Sequence, residues 1–390
     1  MLMVTLVSFL GKGQHNSGYR DTDYIFDDGD VYAHQKYIGL ALQKKLEADK
    51  VILLGTSSSM WDVFLEAGSD ALEEQWFSLS DAVKTSSVTE ELLQPFEQYL
   101  QQQLNAQVRC ILIPFARTTQ EQIEILSVLA NALSEHEDII LDVTHGFRHL
   151  PMLSLVAARF LKVLKFVHVQ HIYYGALDMT SAEGTPVLKL DGLLNLLDWI
   201  DALGKFDKDG DYGEFSELLI KEGLTLSDVE QLKQAAFYER TSNSSKAREK
   251  LSTLFAKLEQ INTPIFNLFK TQLMKRLTWF KAANRGLREQ QLAQEYFSRR
   301  DYLRAVIYAM EGMISQYLYE QKQDENDFSI RKDAQNKLKN KDSFRKLTYL
   351  RNALAHGVKP EDRQNDILAS LGDEQKMQQS LRDRFKHLLK

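Results

Sequence analysis

Arg351 and His356, in the run LRNALAHG at residues 350–357, form an R-x-x-x-x-H pair. A histidine can move a proton to or from a phosphodiester, and an arginine can stabilise the charge that builds on phosphorus. Together they can cleave a phosphodiester without a metal. Asn352 adds a polar side chain beside the arginine and one helical turn from His356. Gly357 and Pro360 are helix-stop signals that would place His356 at a helix end. On an ideal helix, residues five apart stand roughly 140° from each other, so Arg351 and His356 would converge more readily if helices from two subunits met. Chance also supplies R-x-x-x-x-H in a chain of 390 residues, so the pair needs context.

A second group of polar residues follows three apolar runs. Ser8, Gly11, Lys12 and Gly13 come at the end of MVTLVSFL and just after it; Gly55, Thr56, Ser57, Ser58 and Ser59 follow KVILL; Thr144, His145, Gly146 and Arg148 follow DIILD. Glycines let a backbone approach a ligand, hydroxyls and N–H groups bind phosphates or base edges, and Lys or Arg offsets anionic charge. Loops after strands are also polar and glycine-rich when they bind nothing. The Gly11-Lys12-Gly13 turn is not a dinucleotide fingerprint, because the third glycine of G-x-G-x-x-G would fall on Asn16, and no G-x-x-x-x-G-K-[ST] is present. The acidic run from Asp21 to Asp30 lacks calcium-loop spacing and reads as a hairpin turning at Asp28-Gly29. His168 and His171 would face opposite sides of a strand, a poor geometry for shared metal ligation. Cys110 is the single cysteine, which leaves no intrachain disulfide or thiolate cluster. No metal site is expected. Tyr302, Tyr308 and Tyr317 could stack bases, but residues at helical spacing are more often packing residues.

The elements that must carry these residues fall into two classes. As far as about residue 190, short β-rich runs alternate with amphipathic stretches, the pattern of an α/β fold with a mainly parallel sheet and helices on both faces. Ligands in such sheets bind at the C-terminal strand ends, where all three clusters would meet. From about residue 191 the apolar spacing is helical throughout, up to DSFRKLTYLRNALAH. The composition, with 44% apolar and 26% charged residues, is that of a soluble globular chain. MLMVTLVSFL lacks a basic leader region and a cleavage site and reads as a first strand; no run reaches the roughly 18 apolar residues of a membrane span, so a soluble protein is expected, and the single cysteine suits the reducing cytoplasm. Charge is uneven. Residues 1–240 carry 19 basic against 36 acidic side chains, whereas residues 241–390 carry 29 against 18. The basic part suits a polyanion such as RNA, or equally a set of solvated helix faces.

Taken together, VSFLGKG (residues 7–13), VILLGTSSSMW (residues 51–61), DVTHGFRHLP (residues 142–151), YYGAL (residues 173–177), DYLRAVIYAMEG (residues 301–312) and RNALAHG (residues 351–357) resemble the CRISPR-associated CARF–HEPN ribonucleases of type III systems. The resemblance implies an N-terminal Rossmann-like CARF domain at residues 1–190, a helical linker region at 191–290 and an all-α HEPN ribonuclease domain at 291–390. It implies a sensor for cyclic oligoadenylate, with cyclic tetra-adenylate favoured, that switches on cleavage of single-stranded RNA in antiviral defence. The active form would be a homodimer, or a higher oligomer built from it, with no membrane attachment and no stable association with the type III complex. Carried over residue by residue, Arg351, Asn352 and His356 match the catalytic motif, and Glu311 matches an acidic residue that could orient Arg351. Thr56 and Ser57 match the first ligand loop; Thr144, His145, Gly146 and Arg148 match the second. Two alternatives stay open at this level: a ring nuclease that degrades cyclic oligoadenylate in the CARF pocket, and a non-catalytic, ligand-gated RNA-binding regulator.

Overall fold

The runs VTLVSF, KVILLG and DIILD have almost no polar side chain to show to water, so each must be covered on both faces, as the inner strands of a parallel sheet are. They form β1 (Val4–Phe9), β4 (Lys50–Gly55) and β6 (Asp138–Asp142), buried along nearly their whole length. The computed structural model describes residues 3–12, 21–63, 72–146, 150–357 and 371–388, and its contacts divide the chain into two units, Met1–Leu197 and Asp198–Lys390.

The first unit is built on an eight-stranded sheet of order β3-β2-β8-β7-β6-β1-β4-β5, completed by β2 (Thr22–Ile25), β3 (Val31–Gln35), β5 (Gln107–Leu112), β7 (His168–Gly175) and β8 (Thr185–Lys189). The five strands from β7 to β5 are parallel; β8 runs antiparallel to β7, and β2 pairs antiparallel with β3. The Asp28-Gly29 hairpin is present, with Gly29 at φ 91° and the Phe26 N–H bonded to Asp30 O at 2.9 Å. Lys45 lies 2.5 Å from both Asp28 and Asp30, so a lysine neutralises two carboxylates of the acidic run. Alternation along the strands makes two cores. Leu6, Leu53 and Ile140 pack with α1 (Ile38–Leu46), α2 (Glu73–Thr85) and α3 (Glu90–Leu104), while Val7, Ile52, Leu54 and Leu141 pack with α4 (Thr119–Ala132) and α5 (Leu150–Lys165).

After α6 (Asp191–Asp209), which crosses the boundary, the described residues of the second unit form no strand. Its helices are α7 (Ser216–Lys221), α8 (Leu226–Arg240), α9 (Ser244–Gln260), α10 (Pro264–Leu277), α11 (Arg285–Ser298), α12 (Tyr302–Glu320), α13 (Phe328–Leu338), α14 (Asp342–His356) and α15 (Glu374–Leu388). Residues 198–290 thus share one unit with residues 291–390. The stretch from Glu289 to Gln321 is two helices, because Arg300 takes a left-handed turn at φ 63° and Asp301 caps α12 through the Arg304 N–H. Tyr308 is a packing residue, fully buried with its hydroxyl bonded to Glu239 O, and Tyr302 bonds Glu374 at 2.6 Å.

Glu239 itself is buried among Tyr212, Tyr296 and Tyr308. Burial pushes its carboxyl up to about 7 against the pull of the Arg299 charge. The folded state therefore holds this proton more tightly than the unfolded state does. Its contribution is complete below the ordinary glutamate range and is lost as pH rises through about 7. Glu239→Gln removes the titration, so the melting temperature of the variant relative to the parent should be several degrees higher at pH 8 than at pH 5. A constant difference between the two pH values in calorimetry would contradict this.

Candidate functional site

Reading outward from β1, the parallel strands run β1-β4-β5 in one direction and β1-β6-β7 in the other. Strand order reverses between β1 and β6, and in open α/β sheets that gap leaves a crevice beyond the strand ends. Ser8 and Asp142 face each other there in register. Asp142 is fully buried; Ser8 Oγ donates to one of its carboxylate oxygens, and the Thr144 N–H donates to the other at 2.9 Å. Burial raises the Asp142 carboxyl to about 6, with the Ser8 and Thr144 hydrogen bonds opposing the rise. Ser8 also shares a hydrogen bond with the Tyr37 hydroxyl. The Tyr37 ring in turn stacks on His145, with centroids 5.1 Å apart and planes 24° apart. Burial lowers the His145 imidazole to about 4, so at neutral pH it is an uncharged ring. Thr144 Oγ1 accepts from the Gly175 N–H at 2.7 Å, which ties the β6 loop to the end of β7.

The β4 loop closes the other side of the edge. Ser59 Oγ accepts from the Thr56 N–H and donates to Leu10 O, both at 2.9 Å, while the Met60 N–H donates to Gly11 O at 2.9 Å. Trp61 Nε1 donates to Thr56 O at 2.9 Å and seals the turn from below. Thr56, Ser58 and Ser59 are buried and bond one another, whereas Ser57 is half-buried and Lys12 is exposed. Of the residues expected to meet a ligand, Gly11, Lys12, Gly55, Thr56, Ser57, Thr144, His145 and Gly146 lie at the C-terminal ends of β1, β4 and β6. Ser8 is part of the buried floor, and the Thr56 hydroxyl is spent within its own loop. Gly13 and Arg148 lie outside the described residues. Tyr37, at the N-terminus of α1, was not signalled by the sequence; it lies 108 positions before its stacking partner, His145.

The second site lies on α14, which buries Phe344, Leu347, Leu350 and Ala353 and ends where Gly357 turns at φ 64° with its N–H on Ala353 O. His356 and Asn352 are exposed and Arg351 is half-buried; Arg351 and His356 form no hydrogen bond or ion pair with any described residue. Glu311 is clasped by a different arginine, Arg331 of α13, at 2.5 Å. Among the described residues no three His, Cys, Asp or Glu side chains gather as metal ligands, and no helix is long and apolar enough to cross a membrane. His168 and His171 are each bonded to their own carboxylate, Asp138 at 2.9 Å and Asp191 at 2.7 Å.

Residues 5–178 match the family model described as the CARF domain of the CRISPR system endoribonuclease Csx1. The chain is also similar to the CRISPR-associated protein MJ1674 of Methanocaldococcus jannaschii, with 27% identity over 279 residues, 65% of this chain and 44% of the relative. The aligned region spans less than half the length of that protein but more of this chain than the first unit holds. The first match lies within the N-terminal unit, and the second is to a protein named as CRISPR-associated.

The β4 loop depends on Gly55. A Cβ there would lie 2.7 Å from Trp61 Cζ2 and 3.0 Å from Ser59 Cβ. Gly55→Ala should therefore cost about 1–3 kcal/mol in urea unfolding. At Gly192 in α6 a Cβ meets nothing within 4 Å, and Gly192→Ala should leave stability unchanged or raise it by up to about 1 kcal/mol. Equal unfolding midpoints for Gly55→Ala and its parent would show that the loop accommodates the methyl group.

Proposed function

We propose that this chain is a metal-independent endoribonuclease that cuts single-stranded RNA when its N-terminal unit binds a cyclic oligoadenylate, acting in type III CRISPR antiviral defence. The observation that carries the reading is the coincidence, in one chain, of a strand-end edge in the region similar to a Csx1 CARF domain with a half-buried Arg351 and an exposed His356 on a helix end.

On this reading the sensor pocket is the crevice between β1 and β6. The neutral ring of His145 and the loop N–H groups face adenine and ribose, and Lys12 and Arg148 take the ring phosphates. Cyclic tetra-adenylate is the favoured activator. A ring of repeating units fits a pocket formed twice from the same loops, so the working form is a homodimer. Met152 and Val156, exposed apolar residues in the first turns of α5, support an apolar contact with a second copy close to the β6 loop. The protein works in the cytoplasm without lasting attachment to the type III complex.

In the second unit, the 2′-hydroxyl of the RNA attacks the neighbouring phosphorus and the 5′-oxygen leaves, giving a 2′,3′-cyclic phosphate. His356 takes the proton from the 2′-hydroxyl and, as the imidazolium so formed, gives a proton to the departing 5′-oxygen, Arg351 steadies the equatorial oxygens of the phosphorane, and Asn352 orients the phosphate. Glu311 acts through Arg331, fixing the α12–α13 frame on which α14 rests, in place of a direct contact with Arg351.

Purified protein incubated with labelled RNA, with and without cyclic tetra-adenylate, tests the reading. His356→Ala should cut about 10²–10⁴-fold more slowly while binding the cyclic ligand normally. Lys12→Ala and Arg148→Ala should lose activation and retain basal cleavage. Cleavage that stops in EDTA and returns with a divalent ion would refute the metal-free mechanism.

A further inference from the structure

In the second unit a cleft of about 500 Å³ opens between the start of α9, the N-terminus of α11 and the loop after α12. Three guanidinium groups line it, from Arg248, Arg285 and Arg288, together with Tyr319, Gln323 and Asn326. None of these belongs to the R-x-x-x-x-H motif or to the strand-end loops.

The three arginines differ in how far they are committed. Arg285 is a wall: its Nε donates to the buried carboxylate of Glu289 at 2.8 Å, and its Nη1 to Glu325 O at 2.8 Å and Asn326 Oδ1 at 3.1 Å. Arg288 gives one N–H to Ala282 O at 3.2 Å, and its Nε is buried with no hydrogen-bond acceptor. Arg248 is exposed and bonds no described residue. Burial and the nearby charge of Arg248, with less from Arg285, make the Arg288 cation harder to hold, against the pull of Glu325 and Glu289, and a further anion would help to hold it. Two carboxylates share the lining: Asp324 accepts the Asn326 N–H at 2.8 Å, and Glu325, whose carboxyl burial pushes up, is pulled back by the charges of Arg288 and Arg285. Tyr319 is 52% exposed, so its ring is open to a flat partner. Guanidinium forks match phosphate oxygens, aromatic faces stack bases, and side-chain amides such as Asn326 and Gln323 read base edges, the set that single-stranded nucleic acid requires.

We propose that this cleft holds one or two nucleotides of a single-stranded RNA, with backbone phosphate on Arg248 and Arg288 and a base over Tyr319. The proposal rests on the ribonuclease reading only in taking RNA as the substrate. The frame that builds the cleft also reaches the catalytic helix: Glu325 O accepts from both Arg285 and Arg331, at 2.8 Å each, and Arg331 holds Glu311 on α12, against which α14 packs.

The test is fluorescence anisotropy of a labelled single-stranded RNA on the full chain carrying His356→Ala, which leaves the RNA intact. Arg248→Gln and Arg288→Gln should each weaken binding about tenfold and lower the log–log salt slope by about 0.7. Tyr319→Ala should weaken it by roughly 5–100-fold and Tyr319→Phe should restore it; this rescue separates stacking from a folding defect. Inorganic phosphate should displace the RNA only at concentrations where ionic strength alone does so. Unchanged affinity and salt slope in both arginine variants, or selective displacement by inorganic phosphate, overturns the proposal. If these variants lose RNA binding while the wild-type chain cuts no RNA, the cleft stands and the ribonuclease reading falls. Unchanged binding with normal wild-type cleavage gives the reverse.

Discussion

A carboxylate with no exposed surface sits at the point where the sheet changes direction, and the first unit is arranged to satisfy it. Asp142 is held by the Ser8 hydroxyl across one strand gap and by the Thr144 N–H two residues on. An unpaired carboxylate in that position would cost several kcal/mol, so the ends of β1 and β6 cannot drift apart without exposing the cost. Ser8 also engages Tyr37, Tyr37 stacks on His145, and Thr144 reaches β7, so one buried acid fixes four elements at the edge where a ligand would lie. At the opposite end of the same strands Glu137 takes the Thr5 hydroxyl, the Ser134 N–H at 2.6 Å and the Lys50 ammonium at 3.3 Å. Between these polar clasps the strands are apolar on both faces, which leaves the strand-end loops as the place where binding chemistry can appear.

The second unit separates structural from available charge by the same logic. Glu289 is fully buried and receives Ser244, Ser315 and Arg285. Arg331 is committed to Glu311, Ser315 and Glu325 O. These groups hold α9, α11, α12 and α13 together and have no capacity left for a ligand. Arg351, His356 and Arg248 have no such partners among the described residues, so their polar groups are not spent on holding helices together.

Much of the sheet was legible because burial on both faces and a mainly parallel order leave a strong trace, namely apolar runs ending in glycine and hydroxyl residues. What was not legible depended on contacts distant in sequence. Ser8 and Thr56 read as ligand groups because they are polar at strand ends, yet side-chain parity and the loop's own hydrogen bonds turn both inward. Tyr37 belongs to the site only through contacts distant in sequence, its hydrogen bond with Ser8 and its stack on His145. Pro95 in the second turn of α3 argues against a helix locally, and packing of Leu93, Phe96 and Leu100 on the sheet overrides it. Arg300 gave no turn signal, since the left-handed residue between α11 and α12 is not a glycine. The Arg351/His356 motif was visible as a pattern, whereas Glu311 fitted the pattern and has Arg331 as its partner instead.

The proposed coupling has an energetic scale that this chemistry can meet. A ligand shifts a resting–active equilibrium only by its differential affinity for the two states, and a hundredfold activation corresponds to about 2.7 kcal/mol. One or two charge-assisted hydrogen bonds formed in the active state alone are worth that much, so Lys12 and Arg148 from two copies would exceed the requirement. The geometry of α14 adds the reason such a shift would be felt by the chemistry. Arg351 and His356, five residues apart on one regular helix ending at Gly357, face directions about 140° apart, and neither is drawn toward the other by a described side chain. A site assembled from two such helices is therefore sensitive to how the helices meet, and small changes in their approach alter whether a histidine and an arginine reach the same phosphate.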